Sequence, residues 1–315
     1  MIQKRRSFEN QLINLFWGLT KGSRLLKPHS YRFREMGFKV VGFELLFYTS
    51  TNNRKATPDM VLESVKLQES IITEWTQKRE VSPKKADQIQ KYINIEDDSL
   101  RTYVSEACTK NKDVILIVSP EGEPVFEQFI TEKQLPVILF VYHYQNKYLL
   151  EKKLNNFSVS ETNKFFSHPL KFMRINYSFP DINLSDLSHS LLVDNVTSTL
   201  IEILMKENEG FEFNIEYFIQ KMLTKSFYIL ISVDKRNKIA KVSKKIIEEL
   251  RRQKYGGKLL ERIINDPPTW KIVLPQAEKI TKLKAIQRNF AEFADKITGR
   301  PIQPSLFGNL EGGNS

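Results

Sequence analysis

Two carboxylates stand where one metal ion could use them. Asp59 follows Pro58 and opens the apolar run Met60-Val61-Leu62, and Glu74 closes a second run, Ser70-Ile71-Ile72-Thr73. Carboxylates at corresponding ends of two adjacent strands can hold a hard divalent cation, Mg²⁺ or Mn²⁺, which needs oxygen ligands and is commonly bound by one or two carboxylates plus the phosphate of its substrate. Such an ion polarises a phosphoryl group, lowers the pKa of an attacking water and stabilises the leaving oxygen. Gln88 and Tyr92 are four residues apart and share a face if this segment is helical, so both can point at the same strand ends. The chemistry that this set of residue types supports is metal-assisted attack of water on a phosphoryl group.

The elements needed to position these groups are legible in the pattern. Residues 7–17 space Phe8, Leu12, Leu15 and Phe16 along one helical face, with Ser7 as a cap and Glu9 in the first turn. A basic loop covers 19–34. Residues 38–48, rich in aromatic and β-branched side chains, predict one long strand that pairs with 60–62 as a hairpin across the polar turn 50–55. Glu44 interrupts that run, either as an edge-facing carboxylate or as a further metal ligand. The 70–76 strand follows, Val81-Ser82-Pro83 breaks the chain, and a helix is expected from Lys84 to about Ile93. Continuous apolar runs at 113–118 and 136–142 flank a helix at 124–133, the signature of a parallel crossover buried on both faces. A hairpin feeding a parallel pair makes a mixed sheet.

In this order Asp59, Glu74 and the Gln88-x-x-x-Tyr92 helix resemble the PD-(D/E)XK nuclease superfamily, in the branch whose core is followed by a QxxxY helix. The resemblance covers roughly the first half of the chain. It implies an α/β fold with a restriction-endonuclease-like mixed sheet, Mg²⁺ or Mn²⁺ as cofactor, and DNA as substrate. Asp59 and Glu74 take the places of the metal ligands, and Gln88 with Tyr92 those of the helical pair. In other members an early helix donates a Glu to the metal, a place that Glu9 matches, although the helix dipole alone favours a Glu in a first turn. One departure stands out: the motif Lys is due two residues after Glu74, and Thr76 is there. Lys78 or Lys66 could bring the missing cation from another backbone position, where it would orient water or neutralise developing charge.

The chain has 315 residues, 41% of them hydrophobic, enough for two domains with packed cores. A single cysteine, Cys108, excludes a disulfide framework within the chain and any multi-cysteine zinc site, and so favours a reducing compartment. Without an apolar stretch of membrane-spanning length, and with no hydrophobic segment in the first eleven residues, a soluble cytoplasmic protein with no membrane partner is expected. His143, His168 and His189 match no ligand spacing and are expected to be ordinary surface or loop residues.

Net charge is +11, and residues 235–284 alone hold 15 Lys and Arg against 5 Asp and Glu. That concentration is expected of a phosphate-backbone binder, while a solvated Lys-rich face has a similar composition. Three parts are expected: the nuclease-like domain at 1–180, a smaller, mainly helical, winged-helix-like domain at 181–298, and a tail at 299–315. In the second, 194–206 and 214–223 are expected as helices and 227–233 as a buried strand. Val242, Ile246, Ile247 and Leu250 make the apolar stripe of a further helix that shows Lys241, Lys244, Lys245, Arg251 and Arg252 on its other face. Lys254 and Lys258 extend this basic set, and Lys84, Lys85 and Lys91 offer backbone contacts on the first domain.

The tail has the Gly, Pro and Asn content of a disordered segment, and within it Gln303-Pro304-Ser305-Leu306-Phe307 resembles the pentapeptide by which bacterial proteins bind the replication sliding clamp. Gln303 and Ser305 would supply polar contacts, and Leu306 and Phe307 would fill an apolar pocket. A bacterial defence or transposition nuclease, with partner subunits, fits these features. A non-cutting DNA-binding adaptor and an RNA nuclease are the alternatives.

Overall fold

The longest apolar runs of the chain form the centre of one mixed sheet. The computed structural model describes residues 7–144, 148–173, 175, 177–184, 186–252 and 259–299. Contacts divide the chain into two units, Met1–Phe179 with Ile229–Ser232, and Pro180–Tyr228 with Val233–Ser315. Among the described residues, no helix is long and apolar enough to cross a membrane.

The first unit starts with helices α1 (Phe8–Lys21) and α2 (His29–Glu35), followed by strands β1 (Phe38–Phe43), β2 (Phe47–Tyr48), β3 (Lys55–Ala56), β4 (Met60–Ser64) and β5 (Glu69–Thr76). Then come α3 (Pro83–Ile93), α4 (Asp97–Arg101), β6 (Asn111–Val118), α5 (Glu123–Glu132), β7 (Val137–His143), β8 (Tyr148–Leu154), α6 (Ser160–Phe165) and β9 (Leu170–Phe172). The seven-stranded sheet runs β1-β4-β5-β6-β7-β8-β9. Strands β5, β6 and β7 are parallel, joined by crossovers through α3 and α5, and the outer pairs are antiparallel. On one face Val61, Ile72, Val114, Leu116, Val118, Leu139 and Val141 share a core with Ile89 and Tyr92 of α3 and Phe126 and Ile130 of α5. Aromatic rings cluster on the other: Phe33 stacks on Phe38 at 4.7 Å, and Phe140 meets Phe166 at 5.1 Å.

Two sequence expectations are corrected, and two further strands join the sheet. Residues 38–48 are not one strand: β1 stops at Phe43, Glu44 takes a left-handed φ of 52°, and β2 pairs with β3 in a separate ribbon. Polar residues 148–172 add β8 and β9 to the sheet as half-buried outer strands. Residues 227–233 are not a buried strand, since Lys225–Leu230 is helix α9 and only Ile231 forms a bridge, parallel to Phe43. Phe227 and Ile231 are buried while Ile229 and Val233 are exposed, a spacing of four that belongs to a helix. Gly42 permits this approach, because a Cβ there would lie 2.8 Å from the Leu230 carbonyl oxygen.

In the second unit, α7 (His189–Lys206) leads to β10 (Glu212–Asn214), α8 (Ile215–Leu223), α10 (Val233–Arg252), β11 (Leu260–Asn265), β12 (Pro268–Ile272) and α11 (Gln276–Thr298). The strands form an antiparallel sheet ordered β10-β12-β11. Trp270 is fully buried against Phe213, and its Nε1–H donates to Glu248 Oε1 at 2.9 Å. Ile239, Ile246, Ile247 and Leu250 are the buried stripe of α10, whereas Val242 is half-buried.

A second carboxylate pair lies at the start of the parallel strands. Glu69 and Asp113 are both buried; Thr162 donates to Glu69 Oε2, and Ser158 donates to Asp113 through its amide and its hydroxyl at 3.0 and 2.8 Å. Burial pushes Glu69 up to about 8, with the Thr162 bond opposing and the Asp113 charge adding to the rise. The folded chain therefore keeps this proton to about pH 8, while the unfolded chain releases it near pH 4.5. Between those values the native state binds more protons, so stability falls as pH rises through the window. Urea melts are expected to show that loss, on the order of 2–4 kcal/mol, and Glu69→Gln to flatten it. An unchanged slope in the variant would mean that Glu69 does not hold the proton.

Candidate active site

Helix α3 begins at a defined point. The Ser82 hydroxyl accepts from the Lys85 amide at 3.3 Å and Pro83 occupies the first turn, which fixes which side chains face the sheet. Lys85, Gln88, Ile89 and Tyr92 then share the inner side at spacings of three and four. On β5 the strand period places Glu74 on the same sheet face as Ile72 and Thr76, towards α3.

The result is a connected polar set. The Tyr92 hydroxyl lies 2.7 Å from Glu74 Oε2 and 3.0 Å from the Thr57 carbonyl oxygen. A phenol has one hydrogen, and the shorter contact to an anionic acceptor takes it. Gln88 Nε2 donates to the Tyr92 oxygen, so that oxygen's acceptor side is used and its proton stays aimed at Glu74. Lys85 Nζ forms an ion pair with Glu74 Oε1. Asp59 precedes β4, and its Oδ2 accepts from the Trp75 amide at 2.8 Å. Glu44, Asp59, Glu74 and Lys85 are all more than nine-tenths buried.

Glu44 arrives through its kink. A left-handed conformation costs a residue with a Cβ roughly 1–2 kcal/mol, and here the Glu44 amide is tied to the Asp59 carbonyl oxygen at 3.2 Å. Asp59 is held well above the usual carboxylate range, first by burial and then by the charges of Glu74, Glu44 and Glu9, with the Trp75 bond opposing. Four carboxylates from α1, the β1–β2 kink and the ends of β4 and β5 thus act on one locus. The Tyr92 phenol is also pushed up, by burial and then by Glu74 and Asp59, which keeps it a proton donor.

This donor set fits a hard divalent cation. It consists of carboxylate oxygens, and mutual repulsion raises Asp59 in a way that a bound cation would relieve. Asp59 and Glu74 would hold the ion, with Glu9 and Glu44 contributing negative potential. Among the described residues no group of three His, Cys, Asp or Glu side chains is arranged to hold an ion together; Mg²⁺ commonly uses only one or two carboxylates and keeps waters and substrate phosphate as its other ligands.

The lysine that reaches Glu74 comes from the helix. Lys78 is exposed and bonds to Thr76 only through its backbone, Thr76 Oγ1 accepting from the Lys78 amide at 3.2 Å. Lys66 Nζ reaches the Glu35 carbonyl oxygen at 2.8 Å, beyond the opposite end of the β4–β5 hairpin. Lys85, assigned to phosphate contacts from the sequence, is instead buried on Glu74, and Lys91 pairs with Asp87 at 3.1 Å, whereas Lys84 is exposed. Its signal was present, since Lys85 lies three and seven residues before Gln88 and Tyr92. Of the two alternatives for Glu44, its burial and its action on Asp59 place it beside the other carboxylates rather than on an exposed edge. On α10, Lys241, Lys245 and Arg252 are exposed, Lys244 is half-buried, and Arg251 pairs with Glu248 at 3.1 Å. His168 Nδ1 contacts Ser167 Oγ at 2.9 Å, and His189 pairs with Glu249 at 2.9 Å. Lys254, Lys258 and the Gln303, Ser305, Leu306, Phe307 motif lie outside the described residues.

Removing one neighbouring charge should lower the Asp59 midpoint. In Glu44→Gln the side-chain carbonyl resonance of Asp59, followed by NMR without metal, is expected to titrate at lower pH than in the wild type; an unmoved midpoint would contradict the proximity of Glu44. In comparisons with known proteins, no family model matches the chain, and no curated protein or solved structure matches it.

Proposed function

We propose that this protein is a metal-dependent DNA endonuclease of the PD-(D/E)XK kind, with a restriction-endonuclease-like first unit and a winged-helix-like second unit. The observation that carries the proposal is the link Lys85–Glu74–Tyr92–Gln88 beside buried Asp59. It supplies the carboxylates, the cation and the helical pair of that chemistry from side chains of two strand ends and one helix.

Mg²⁺ or Mn²⁺, bound by Asp59 and Glu74, would supply the Lewis acid for phosphate and water. The chain's own groups have separate tasks. Tyr92 and Gln88 fix the orientation of the Glu74 carboxylate. Lys85 places a positive charge where negative charge grows during attack, a pre-positioned electrostatic contribution. Asp59 would have to give up its proton to hold a cation, so metal affinity would rise with pH through its elevated midpoint.

Support for the second unit is its connectivity. The succession α7, β10, α8, α9, α10, β11, β12, with β12 between the other two strands, is similar to the winged-helix order apart from the short added helix α9. Helix α10 then stands in the recognition position with Lys241 and Lys245 exposed, suited to phosphate contact. The Gln303–Phe307 peptide, known here from sequence alone, would tether the enzyme to a bacterial sliding clamp.

A non-cutting adaptor on the same fold is the second reading, favoured by the engagement of both Glu74 oxygens and by Thr76 at the motif position. Supercoiled plasmid with Mg²⁺ or Mn²⁺ separates the two. Cutting by the wild type is expected, with loss in Asp59→Asn and Glu74→Gln and a fall of about 10²–10³-fold in Lys85→Met. Adding Thr76→Lys to Lys85→Met should recover part of the rate. Inertness of every form, with DNA still bound, would leave the adaptor.

A further inference from the structure

A second basic surface lies on the first unit, beyond the end of α1 opposite to Glu9. Residues 17–34 carry five Lys and Arg, Lys21, Arg24, Lys27, Arg32 and Arg34, and no Asp or Glu. All five are exposed, and among the described residues none forms an ion pair. Geometry makes four of them one patch. Lys21 Nζ sits 4.5 Å over the Trp17 ring, and Lys27 Nζ 4.5 Å over Tyr31, with the Arg34 guanidinium 5.9 Å from the same ring. Lys27, Arg24 and Arg34 all act electrostatically on the Tyr31 phenol. Gly22, in the left-handed conformation that ends α1, lets Arg34 fold across the helix terminus beside Lys21, for a Cβ there would lie 3.2 Å from Arg34 Cδ.

Five unneutralised cations, several resting on aromatic faces at the ends of two helices, repel one another unless an anion joins them. Ring contacts hold their ammonium and guanidinium groups in place, which reduces the ordering cost of binding a row of phosphates. The patch has one well-exposed large apolar side chain, Leu25, too little for insertion into a lipid surface. We propose that this α1–α2 surface binds the phosphate backbone of duplex DNA. Glu9 and Lys21 stand at opposite ends of α1, about 18 Å apart at 1.5 Å per residue, which corresponds to about five base pairs of duplex at 3.4 Å each. That register rests on the nuclease reading; the binding itself does not.

The test is anisotropy with a duplex of about 24 base pairs in EDTA over a salt series, where no cutting occurs. Lys21→Gln/Arg24→Gln/Lys27→Gln/Arg34→Gln should weaken binding on the order of 100-fold near 0.1 M salt and reduce the slope of log affinity against log salt by about 3–4. The charge-keeping pair Lys21→Arg/Lys27→Arg should hold the wild-type slope, which separates lost charge from lost fold. An unchanged slope in the quadruple variant overturns the proposal, as does retained duplex binding with lost binding to phosphatidylserine vesicles. Failure of the nuclease reading shows elsewhere, as absent plasmid cutting with duplex binding still sensitive to these four residues.

Discussion

Everything at the candidate site depends on keeping the Glu74 charge buried. A carboxylate withdrawn from water is tolerated only with a cation and hydrogen-bond donors around it. Lys85 and Tyr92 meet that need from one helix face, and Ser82 and Pro83 set the rotation of that helix. The crossover from β5 through α3 to β6 therefore does more than connect parallel strands. It carries the groups that make the end of β5 chemically usable, at the carboxyl ends of parallel strands, where open α/β sheets generally place their ligands.

Strand β5 carries a buried glutamate near each end and treats them in opposite ways. Glu74 has a lysine and forms an ion pair with it. Glu69 has a threonine hydroxyl and a neighbouring Asp113, and is driven towards its neutral form. The two lie on opposite faces of the sheet by the strand period, and the difference follows from what packs on each face. At one end a helix reaches over with a long cationic side chain; at the other only short hydroxyls from the α6 region arrive, and these can satisfy an acid but cannot neutralise an anion.

The central sheet was legible because its evidence is local. Continuous apolar runs at 113–118 and 136–142, a helix between them and a hairpin before them are strong periodic signals. Asp59, Glu74, Gln88 and Tyr92 come together as their spacing implied. Lys85 escaped because a lysine near a helix start looks like solvent-facing charge, and only the cap at Ser82 decides its direction. The two alternatives for Glu44 stayed open in the sequence because its burial depends on a backbone kink that no composition announces. The outer strands β8 and β9 were hidden by their half-buried, polar sequence, and 227–233 misled because its apolar residues are dense enough to suit either period until their exposure is known.

The bridge between Phe43 and Ile231 has a consequence for how the first unit is bounded. Strand β1 is the last strand on its side of the sheet, and Ser232 donates its amide to the Phe43 carbonyl oxygen at 3.2 Å. A short piece of chain, more than fifty residues downstream of Phe179, thus shields part of an otherwise open border. A fragment ending near 179 would keep every catalytic candidate yet present raw main-chain donors and acceptors along β1, the kind of border that recruits a second copy or starts aggregation. The border of the first unit thus includes that borrowed stretch of backbone as well as the residues of its candidate site.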